Sequence, residues 1–479
     1  MIEKRQFYID GAWVAPTEPR DFEVIDPSTE EPCAIISLGN AADTDRAVAA
    51  ARAALPGWAA TPAAERIAAV ARVRELYAAR LDDMAEAISL EMGAPIHMAR
   101  EQQAAAGIGN IDDALTAAEQ VIWNAPLGDH APGARILREP IGVVGMITPW
   151  NWPVSQTTLK VFPAMIAGCT MVLKPSEFAP LDSVILAELI HEAGVPAGVF
   201  NLVQGDGAGV GTRLSEHPDV DMISFTGSTR AGRAISRAAS ETLKHVSLEL
   251  GGKGANVIFA DAGDRAVKTG VRRCFNNTGQ SCNAPTRMLV ERAIYDNAVE
   301  IARAAADDTA VGSGHDDGRH IGPLVNATQF ERVQDLIQKG IEEGARLVAG
   351  GPGRPEGFNR GYYVRPTVFA DVTNDMTIAQ QEIFGPVLSI IPFEDEAEAI
   401  AIANDTPYGL TNYVQTEDGP RRNRMAKALR SGMVEMNYRS RGAGAPFGGV
   451  KFSGRAREGG VWGIEEYLEV KSVSGWAAE

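Results

Sequence analysis

Residues 142–149 read GVVGMITP, and three later stretches have the same texture: TMVLKP at 170–175, VFNLVQG at 199–205 and DMISFTG at 221–227. Each is a short apolar run, and stretches with helical spacing follow three of the four. Short strands that alternate with helices are typical of βαβ units. The region after Ile141 therefore predicts an α/β lobe built on a mainly parallel sheet.

A second series of apolar runs begins near Gly251. Its candidate strands are ANVIFAD, RMLVER, RLVAGG, YYVRPTVFADV, GPVLSIIPF, GLTNYV and GMVEMN. Two α/β lobes in succession leave a cleft between them, which is a common place for a ligand. Residues 41–93 have helical spacing and are expected to cover one side of a sheet. The stretch 124–140, NAPLGDHAPGARILREP, interrupts the first lobe, and its Pro and Gly content alone predicts a loop.

The chain has 479 residues, 45% of them hydrophobic and 22% charged, which is ordinary globular usage. A net charge of −17 argues against a nucleic-acid partner. No apolar run approaches the roughly 18 residues that span a bilayer, and the first residues do not resemble a secretory signal. Four cysteines do not make a disulfide framework, so a reducing cytoplasm is expected. Scattered histidines and the absence of a CxxC motif predict no metal site.

One cysteine, Cys282, lies in NNTGQSCNAPT (276–286), where small and polar residues cannot contribute to a hydrophobic core. Such a turn either presents the sulfur to a ligand or carries an inert thiol. The other three cysteines, Cys33, Cys169 and Cys274, lie in apolar or charged helical contexts typical of packing residues.

Two more residues have unusual surroundings. Glu249 follows apolar residues in SLELGGKGAN (247–256) and is either a buried base with a raised pKa or a strand-end acid that points to water. Asn151 lies in ITPWNWP (147–153), between two tryptophans and two prolines. A rigid turn suits an oxyanion donor, although asparagine more often satisfies turn backbone.

Three segments could bind a dinucleotide. GDGAGVG (205–211) lacks the GxGxxG spacing, and GSTRAGRA (227–234) lacks the lysine of an NTP-binding loop. The turn at Ser228 still offers N–H groups at a helix start, either for a pyrophosphate or as an N-cap. In KPSE, Lys174 and Glu177 could contact an adenosine ribose, with Glu177 favouring NAD over NADP, or could form a surface ion pair.

Seven segments together resemble the signature blocks of the NAD(P)-dependent aldehyde dehydrogenase superfamily, in its order. They are ITPWNWP, KPSE, FTGST, LELGGK, GQSCNA, QEIFGPV and PFGGVKFSG. The resemblance implies an α/β fold with a Rossmann-like NAD-binding domain (1–123 and 141–248) and an α/β catalytic domain (249–464). It also implies a small β oligomerisation element (124–140 and 465–479) and a homodimer or homotetramer.

The resemblance also implies residue roles. Cys282 is the expected nucleophile, Glu249 the general base and Asn151 an oxyanion donor. The expected cofactor contacts are Ile147, Thr148, Pro149, Trp150, Lys174, Glu177, Gly207, Ser228, Leu250, Glu382 and Phe384. Ala456 stands where the family more often has glycine, which leaves the conformation of that loop open.

The expected reaction is NAD-dependent oxidation of a small-molecule aldehyde through a thiohemiacetal and a thioester, which Glu249-activated water hydrolyses. One alternative is transfer of the acyl group to CoA, which the presence of Glu249 disfavours. The other is a catalytically silent relative with a structural or binding role, because a fold does not guarantee activity. The sequence does not identify the aldehyde.

Overall fold

The computed structural model describes residues 1–477; the last two residues of the predicted element 465–479 lie outside the described residues. The strands are β1 (Ile2–Lys4), β2 (Phe7–Ile9), β3 (Ala12–Val14), β4 (Asp21–Asp26), β5 (Glu31–Ser37), β6 (Asn124–Pro126), β7 (Ala134–Pro140), β8 (Val143–Ile147), β9 (Thr170–Lys174), β10 (Phe200–Leu202), β11 (Met222–Thr226), β12 (His245–Glu249), β13 (Ala255–Ile258), β14 (Arg287–Glu291), β15 (Arg346–Ala349), β16 (Thr367–Ala370), β17 (Val387–Phe393), β18 (Thr411–Gln415), β19 (Met433–Met436) and β20 (Leu468–Ser474).

The helices surround these strands. They are α1 (Ala41–Ala60), α2 (Ala63–Ala79), α3 (Leu81–Met92), α4 (Ile96–Met98), α5 (Ala105–Ala118), α6 (Pro153–Ala167), α7 (Leu181–Glu192), α8 (Thr212–Glu216), α9 (Thr229–Ser240), α10 (Asp264–Phe275), α11 (Tyr295–Asp307), α12 (Ala327–Glu342), α13 (Thr377–Gln380), α14 (Glu396–Asn404), α15 (Gly419–Ala428) and α16 (Gly460–Glu465). Short π-helical turns precede α5 and α8, at Ala99–Ala104 and Gly207–Gly211. None of the helices in residues 1–477 is both long and apolar enough to cross a membrane.

The first lobe contains a seven-stranded sheet in the order β12-β11-β8-β9-β10-β2-β3. The strands from β12 to β10 are parallel, and β2 and β3 add antiparallel pairs at one edge. Side chains of β9 alternate between two apolar clusters: Met171 and Leu173 pack with α6 and α7, whereas Val172 packs with α1. Both faces of the sheet are therefore covered, which explains why these strands are continuously apolar.

The second lobe contains another seven-stranded sheet, in the order β15-β16-β17-β14-β13-β18-β19. All neighbours except β15 and β16 are parallel. The strand predicted over 362–372 is shorter than expected, because β16 starts at Thr367, directly after Pro366. Proline has no N–H to donate to a sheet, so it commonly stands outside the ladder.

Two three-stranded sheets complete the molecule. One has the order β1-β5-β4, and the other joins β20, β7 and β6 in antiparallel pairs, with Leu468 opposite Pro140 and Ser474 opposite Ala134. Residues 124–140 are thus mostly strand, and the loop predicted from their Pro and Gly content is wrong. Composition could not show this, because the partner strand that completes the sheet comes from the far end of the chain.

Candidate active site

The candidate site lies where parallel strands of the first sheet end. Ile147 ends β8, Lys174 ends β9, Thr226 ends β11 and Glu249 ends β12, and Thr226 and Glu249 stand side by side in the ladder. The carboxyl ends of parallel strands meet at one edge of a sheet, where open α/β sheets bind ligands. The order of the strands in the sheet therefore brings residues that are about a hundred positions apart in the sequence to one edge of the sheet.

A pocket at this edge reaches the cysteine loop of the second lobe. Its lining includes many of the residues singled out from the sequence, namely Pro149, Trp150, Asn151, Ser228, Leu250, Cys282, Glu382 and Phe384. Gln329 and Arg332, which the sequence did not indicate, also line it. The pocket therefore places the thiol, the amide and several predicted cofactor contacts around one space.

The other predicted cofactor contacts lie beside this pocket. Lys174 is 3% exposed and its Nζ donates to the carbonyls of Pro175 and Gly205, both at 2.8 Å, and to Glu177 at 3.3 Å. Burial lowers the pKa of Lys174, and the carboxylate of Glu177 acts in the opposite direction. The ammonium group is therefore held in place by main-chain oxygens, which is unlike a mobile surface pair.

Main-chain groups of Thr148 and of the Gly207–Gly211 turn lie next to the ends of β8 and β9. The Thr148 N–H donates to the Lys174 carbonyl at 3.1 Å, which joins the ends of β8 and β9. Gly207 opens the π-helical turn, and a side chain built there would meet no atom within 4 Å. A Cβ built at Gly211 would lie 3.8 Å from Ile147 and 3.9 Å from Lys174. The glycine-rich turn thus packs over the strand ends and leaves free space at Gly207.

Ser228 both caps a helix and lines the pocket. Its Oγ accepts the Ala231 N–H at 3.2 Å at the start of α9, which is the N-cap alternative. The residue is also exposed to the pocket. The two interpretations are compatible, because a capped helix start still directs free N–H groups toward a ligand.

The cysteine loop has an unusual backbone. Asn277 and Thr278 have positive φ angles of 53° and 57°, and Gly279 has a φ of 72°. A Cβ on Gly279 would lie 2.1 Å from the carbonyl oxygen of Gly385, so only glycine allows this approach. Cys282 follows as a half-buried residue. This backbone carries the thiol out of the core, which residue type alone does not show.

Asn151 contributes to the position of that loop. Its Nδ2 donates to the Gln280 carbonyl at 3.0 Å, and its own carbonyl accepts from Asn277 Nδ2 at 2.8 Å. Gln280 in turn accepts the Val325 N–H at 3.0 Å through Oε1. Asn151 is 4% exposed and lines the pocket with Cys282. An amide has two N–H groups, so one hydrogen bond to the loop leaves a second donor.

Glu249 is buried and does not point to water. It is 1% exposed, and within residues 1–477 neither carboxylate oxygen has a hydrogen-bond partner. Burial raises its pKa well above the usual range, the charge of Glu458 raises it further, and Lys160 opposes both. A carboxyl group in this environment binds a proton readily, which is the property of a general base.

Glu382 and Phe384 close the other side of the pocket. Glu382 Oε1 accepts the Gly252 N–H at 2.8 Å. Burial raises the pKa of Glu382 to about 7, against the effects of the Gly252 N–H, Arg332 and Lys253. Phe384 has a φ of 65°, and its ring stands edge-on to Trp150 with centroids 5.4 Å apart. The acid and the ring therefore face the pocket from one strained segment.

Comparisons with known proteins decide the family. The model of the Aldehyde dehydrogenase family matches residues 13–473. The chain belongs to the aldehyde dehydrogenase family. It is 50% identical to a 3-succinoylsemialdehyde-pyridine dehydrogenase of Pseudomonas sp., over 99% of each chain. The predicted family, fold and enzyme class are confirmed.

Solved aldehyde dehydrogenases agree with this assignment. An aldehyde dehydrogenase from Bartonella henselae is 57% identical with a TM-score of 0.98, over 99% of this chain and 100% of that one. A mutant of aldehyde dehydrogenase C from Pseudomonas syringae, in complex with NAD+ and octanal, is 48% identical with a TM-score of 0.97. That likeness covers 99% of this chain and 97% of the other.

Besides Arg332, two charged residues near this aldehyde dehydrogenase site were missed from the sequence. Lys160 of α6 donates to Glu458 Oε1, and their side chains are only 1% and 5% exposed. Glu458 lies in GRAREGG (454–460), which the sequence distinguished only by Ala456. A lysine in the otherwise apolar helix LKVFPAMIA was the available signal. The two residues are 298 positions apart, so their ion pair could not be predicted from the sequence.

Burial also sets the chemistry of the thiol in this aldehyde dehydrogenase. It raises the pKa of Cys282, and the carboxylates of Glu249, Glu382 and Glu458 raise it further. Burial raises the pKa of Cys169 and Cys274 as well, to about 12. A low pKa therefore does not distinguish Cys282 from the other two cysteines. Cys282 is distinguished by its place in the pocket, and its activation requires a nearby proton acceptor.

Proposed function

We propose that this enzyme oxidises an aldehyde to the carboxylic acid with NAD, using Cys282 as the nucleophile and Glu249 as the general base. The observation that carries the proposal is the single pocket lined by Cys282, Asn151 and the predicted cofactor contacts. The NAD+ and octanal complex of the Pseudomonas syringae relative supports it, because that protein is 48% identical over nearly its full length.

The residues present fit a dinucleotide. Lys174 and Glu177 at the end of β9 would hold the adenosine ribose, and the carboxylate of Glu177 would disfavour the extra phosphate of NADP. The space above Gly207 and the α9 N-terminus at Ser228 would hold the pyrophosphate. The carboxylate of Glu382 would accept hydrogen bonds from the hydroxyl groups of the nicotinamide ribose. When bound, NAD supplies the hydride acceptor.

In the first half of the reaction, the sulfur of the Cys282 thiolate bonds to the aldehyde carbon, and an electron pair of the C=O bond moves to the oxygen. The oxygen that becomes negative is stabilised by the free N–H of the Asn151 amide and by the Cys282 backbone N–H. The resulting tetrahedral thiohemiacetal then loses hydride, which leaves a thioester on Cys282. Because Asn151 is already fixed to the loop, the donor and the nucleophile keep one geometry throughout.

In the second half, Glu249 removes a proton from water, whose oxygen attacks the thioester carbon and expels the Cys282 thiolate. The product is a carboxylic acid, and Glu249 carries the proton. Glu458 lies close enough to raise the pKa of Glu249, and its ion pair with Lys160 is buried. We propose that this ion pair receives the proton from Glu249, which returns Glu249 to the carboxylate form that can act as a base again.

Two substitutions test this function. Cys282→Ala should abolish turnover and still bind NAD, measured by calorimetry. Glu249→Gln should slow thioester hydrolysis specifically, so that a rapid burst of NADH is followed by a steady-state rate reduced about 100-fold or more. A Glu249→Gln enzyme with the wild-type steady-state rate would contradict the assignment of the base.

The same assay separates the alternatives. If CoA accelerates turnover and acyl-CoA accumulates, the enzyme belongs to the acylating class. If no aldehyde in a panel yields NADH, the chain is a catalytically silent relative. Glu249 supports the hydrolytic reaction, since acylating members often lack this base.

We also propose that the enzyme acts as a homodimer or homotetramer in the cytoplasm. Four free cysteines suit a reducing compartment. Strand β20 lies at the edge of its sheet and Val470 on it is 66% exposed. An unpaired strand edge with exposed apolar residues is suited to association with a second copy.

A further inference from the structure

The π-helical turn Ala99–Ala104 contacts the cysteine loop. Two consecutive glutamines of this turn meet two consecutive asparagines of the loop, although the partners are 174 positions apart in the sequence. At the surface, Asn276 Nδ2 donates to Gln102 Oε1 at 3.2 Å. In the interior, Gln103 Nε2 donates to Asn277 Oδ1 at 3.0 Å. Single π-helical turns within helices are frequent at functional sites, so the contact between this turn and the loop has a candidate purpose.

Gln103 is the buried member of the two glutamines. Its side chain is 0% exposed, and its neighbours Ala99 and Ala104 are buried as well. Its Nε2 also lies 3.5 Å from Met92 Sδ, a weak acceptor, and within residues 1–477 its Oε1 has no hydrogen-bond partner. Burial of an amide is unfavourable unless hydrogen bonds replace those to water. The hydrogen bond to Asn277 is therefore the main polar interaction that offsets the burial of Gln103.

Asn277 links Gln103 to both the proposed oxyanion donor and the proposed nucleophile. Its Nδ2 donates to the carbonyl of Asn151 at 2.8 Å and to the carbonyl of Gln280 at 3.1 Å. The Gln280 carbonyl also accepts Asn151 Nδ2 at 3.0 Å. Gln280 lies two residues before Cys282. One side-chain amide thus holds the main chain of Asn151 and the main chain that leads to the thiol.

The loop depends on such contacts because its backbone is strained at this point. Asn277 and Thr278 have φ angles of 53° and 57°, a conformation that is uncommon outside glycine and persists where surrounding contacts enforce it. Asn277 is 3% exposed, so without Gln103 its buried Oδ1 would have no donor among residues 1–477. The amide would gain a new partner by turning away from the carbonyls of Asn151 and Gln280. Loss of the Gln103 donor is therefore expected to loosen the loop.

We propose that Gln103 is a positioning residue for the first half of the reaction. Acting through Asn277, its amide holds Asn151 and the Cys282 loop in their reactive geometry. The inference rests on the proposed function, because it requires Cys282 as nucleophile and Asn151 as oxyanion donor. Gln103 does not line the pocket that contains Cys282. A displacement of about 1 Å at a reacting group can cost about 100-fold in rate, so a contact behind the site is sufficient to control it.

Gln103→Met tests this role, because methionine has a similar length and cannot donate a hydrogen bond. With enzyme in excess over aldehyde, the maximal rate constant of NADH formation in a single turnover should fall at least about 10-fold, measured by stopped-flow fluorescence. The Kd of NAD, measured by calorimetry, should change less than about threefold, because the cofactor contacts are not altered. A smaller loss of rate, or an equal loss of NAD affinity, would overturn the proposal.

A double variant tests whether Gln103 acts through Asn277. Asn277→Gly removes the linking amide and tolerates the positive φ of this position. Residues that act as one unit have non-additive effects. Gln103→Met in the Asn277→Gly background should therefore reduce the single-turnover rate less than about twofold further. A larger additional loss would overturn the proposed route through Asn277.

Gln103→Glu gives a test that depends on pH and keeps the size of the side chain. A protonated glutamate can donate to Asn277 Oδ1 as the amide does, whereas the ionised form has only acceptors. Burial favours the protonated form at low pH. The single-turnover rate relative to the wild type should thus be highest at about pH 6 and fall at least about fivefold by about pH 9. A ratio that does not fall would overturn the proposal, including when Gln103→Met does not fold.

Gln204→Met is the matched control. Gln204 is also 0% exposed, its Nε2 donates to the Lys4 carbonyl at 3.2 Å, and in the described part of the chain its Oε1 has no partner. Its substitution should lower the midpoint of thermal unfolding about as much as Gln103→Met does and leave the single-turnover rate within about twofold. Equal rate losses in the two variants would overturn the proposal while aldehyde oxidation stands. A wild type that forms no NADH with any aldehyde would contradict the proposed function instead.

Discussion

The three acidic residues around Cys282 differ in what they contact. Glu249 has no hydrogen-bond partner in the described chain, Glu382 accepts a backbone N–H, and Glu458 accepts from a buried lysine. All three residues are glutamates, so differences in their proton affinity come from their surroundings. The residue with the fewest contacts is the one best suited to take a proton from water.

A fourth acid, Asp182, is buried in the first turn of α7 and does not line the pocket that contains Cys282. It is fully buried, beside Glu91, whose carboxylate accepts the N–H groups of Leu181 and Asp182. Burial raises the pKa of Asp182 to about 7. A carboxyl with a folded pKa above its unfolded value stabilises the protein at low pH, and that stability is lost as pH rises through about 7.

Asp182→Asn should therefore stabilise the enzyme at high pH, because the amide resembles the protonated acid and never ionises. We expect the midpoint of thermal unfolding to rise by roughly 2–6 °C at about pH 8 and the difference to vanish near pH 4, measured by scanning calorimetry. Asp296→Asn, an exposed first-turn acid of α11, is the control. An equal effect of Asp182→Asn at both pH values would contradict the interpretation.

At the scale of elements, the cysteine loop and the segment of Glu382 and Phe384 are packed backbone to backbone. Gly279 and Gly385 make this contact, which brings the proposed nucleophile and the proposed ribose acid together. Catalysis depends on fixed distances between reacting groups, so this contact controls more than stability.

Gly279→Ala should reduce kcat/KM at least about 100-fold, because its Cβ would collide with the Gly385 carbonyl and displace Cys282. Gly263→Ala is a matched control, since Gly263 has the same φ of 72° and open space around it. It should cost about 1–3 kcal/mol of stability, because a φ of 72° with a ψ of 168° is a conformation that essentially only glycine adopts, and leave activity intact. Steady-state kinetics and thermal unfolding of both variants measure the difference; equal activity losses would refute the collision.

At the scale of the whole molecule, the small sheet of β6, β7 and β20 stands apart from the two large ones. Its outer strand exposes most of its residues, including Val470. The unpaired N–H and C=O groups of such an edge strand can pair with a strand of a second copy. The assignment of residues 124–140 and 465–479 as an oligomerisation element stays a prediction.

Light scattering of the wild type should give a mass that is two or four times the 51.0 kDa of one chain. Val470→Asp should shift the protein toward smaller species, because a charge on an apolar interface must be desolvated. Leu243→Asp is the control, since Leu243 is 91% exposed and lies in the turn after α9. A monomeric wild type, or a Val470→Asp variant of unchanged mass, would contradict the proposal.

Much of the site could be predicted because single residues conflicted with their local context. Cys282 on a small-residue turn, Glu249 at the end of an apolar strand and Asn151 on a rigid turn each stood out in the sequence. Lys160 and Glu458 did not, because their significance lies in a contact between distant segments. Ala456 does not adopt a positive φ, so its difference from the usual glycine does not change the backbone requirement there.

The sequence by itself determined the alternation of strands and helices, the two lobes and the type of chemistry, since these depend on local spacing and residue type. Only the tertiary structure decided that Glu249 is buried without a hydrogen-bond partner in residues 1–477, that Gly279 contacts Gly385, and that Lys160 pairs with Glu458. Burial and electrostatic potential are sums over atoms brought from remote parts of the chain, so they exist only once the chain has folded.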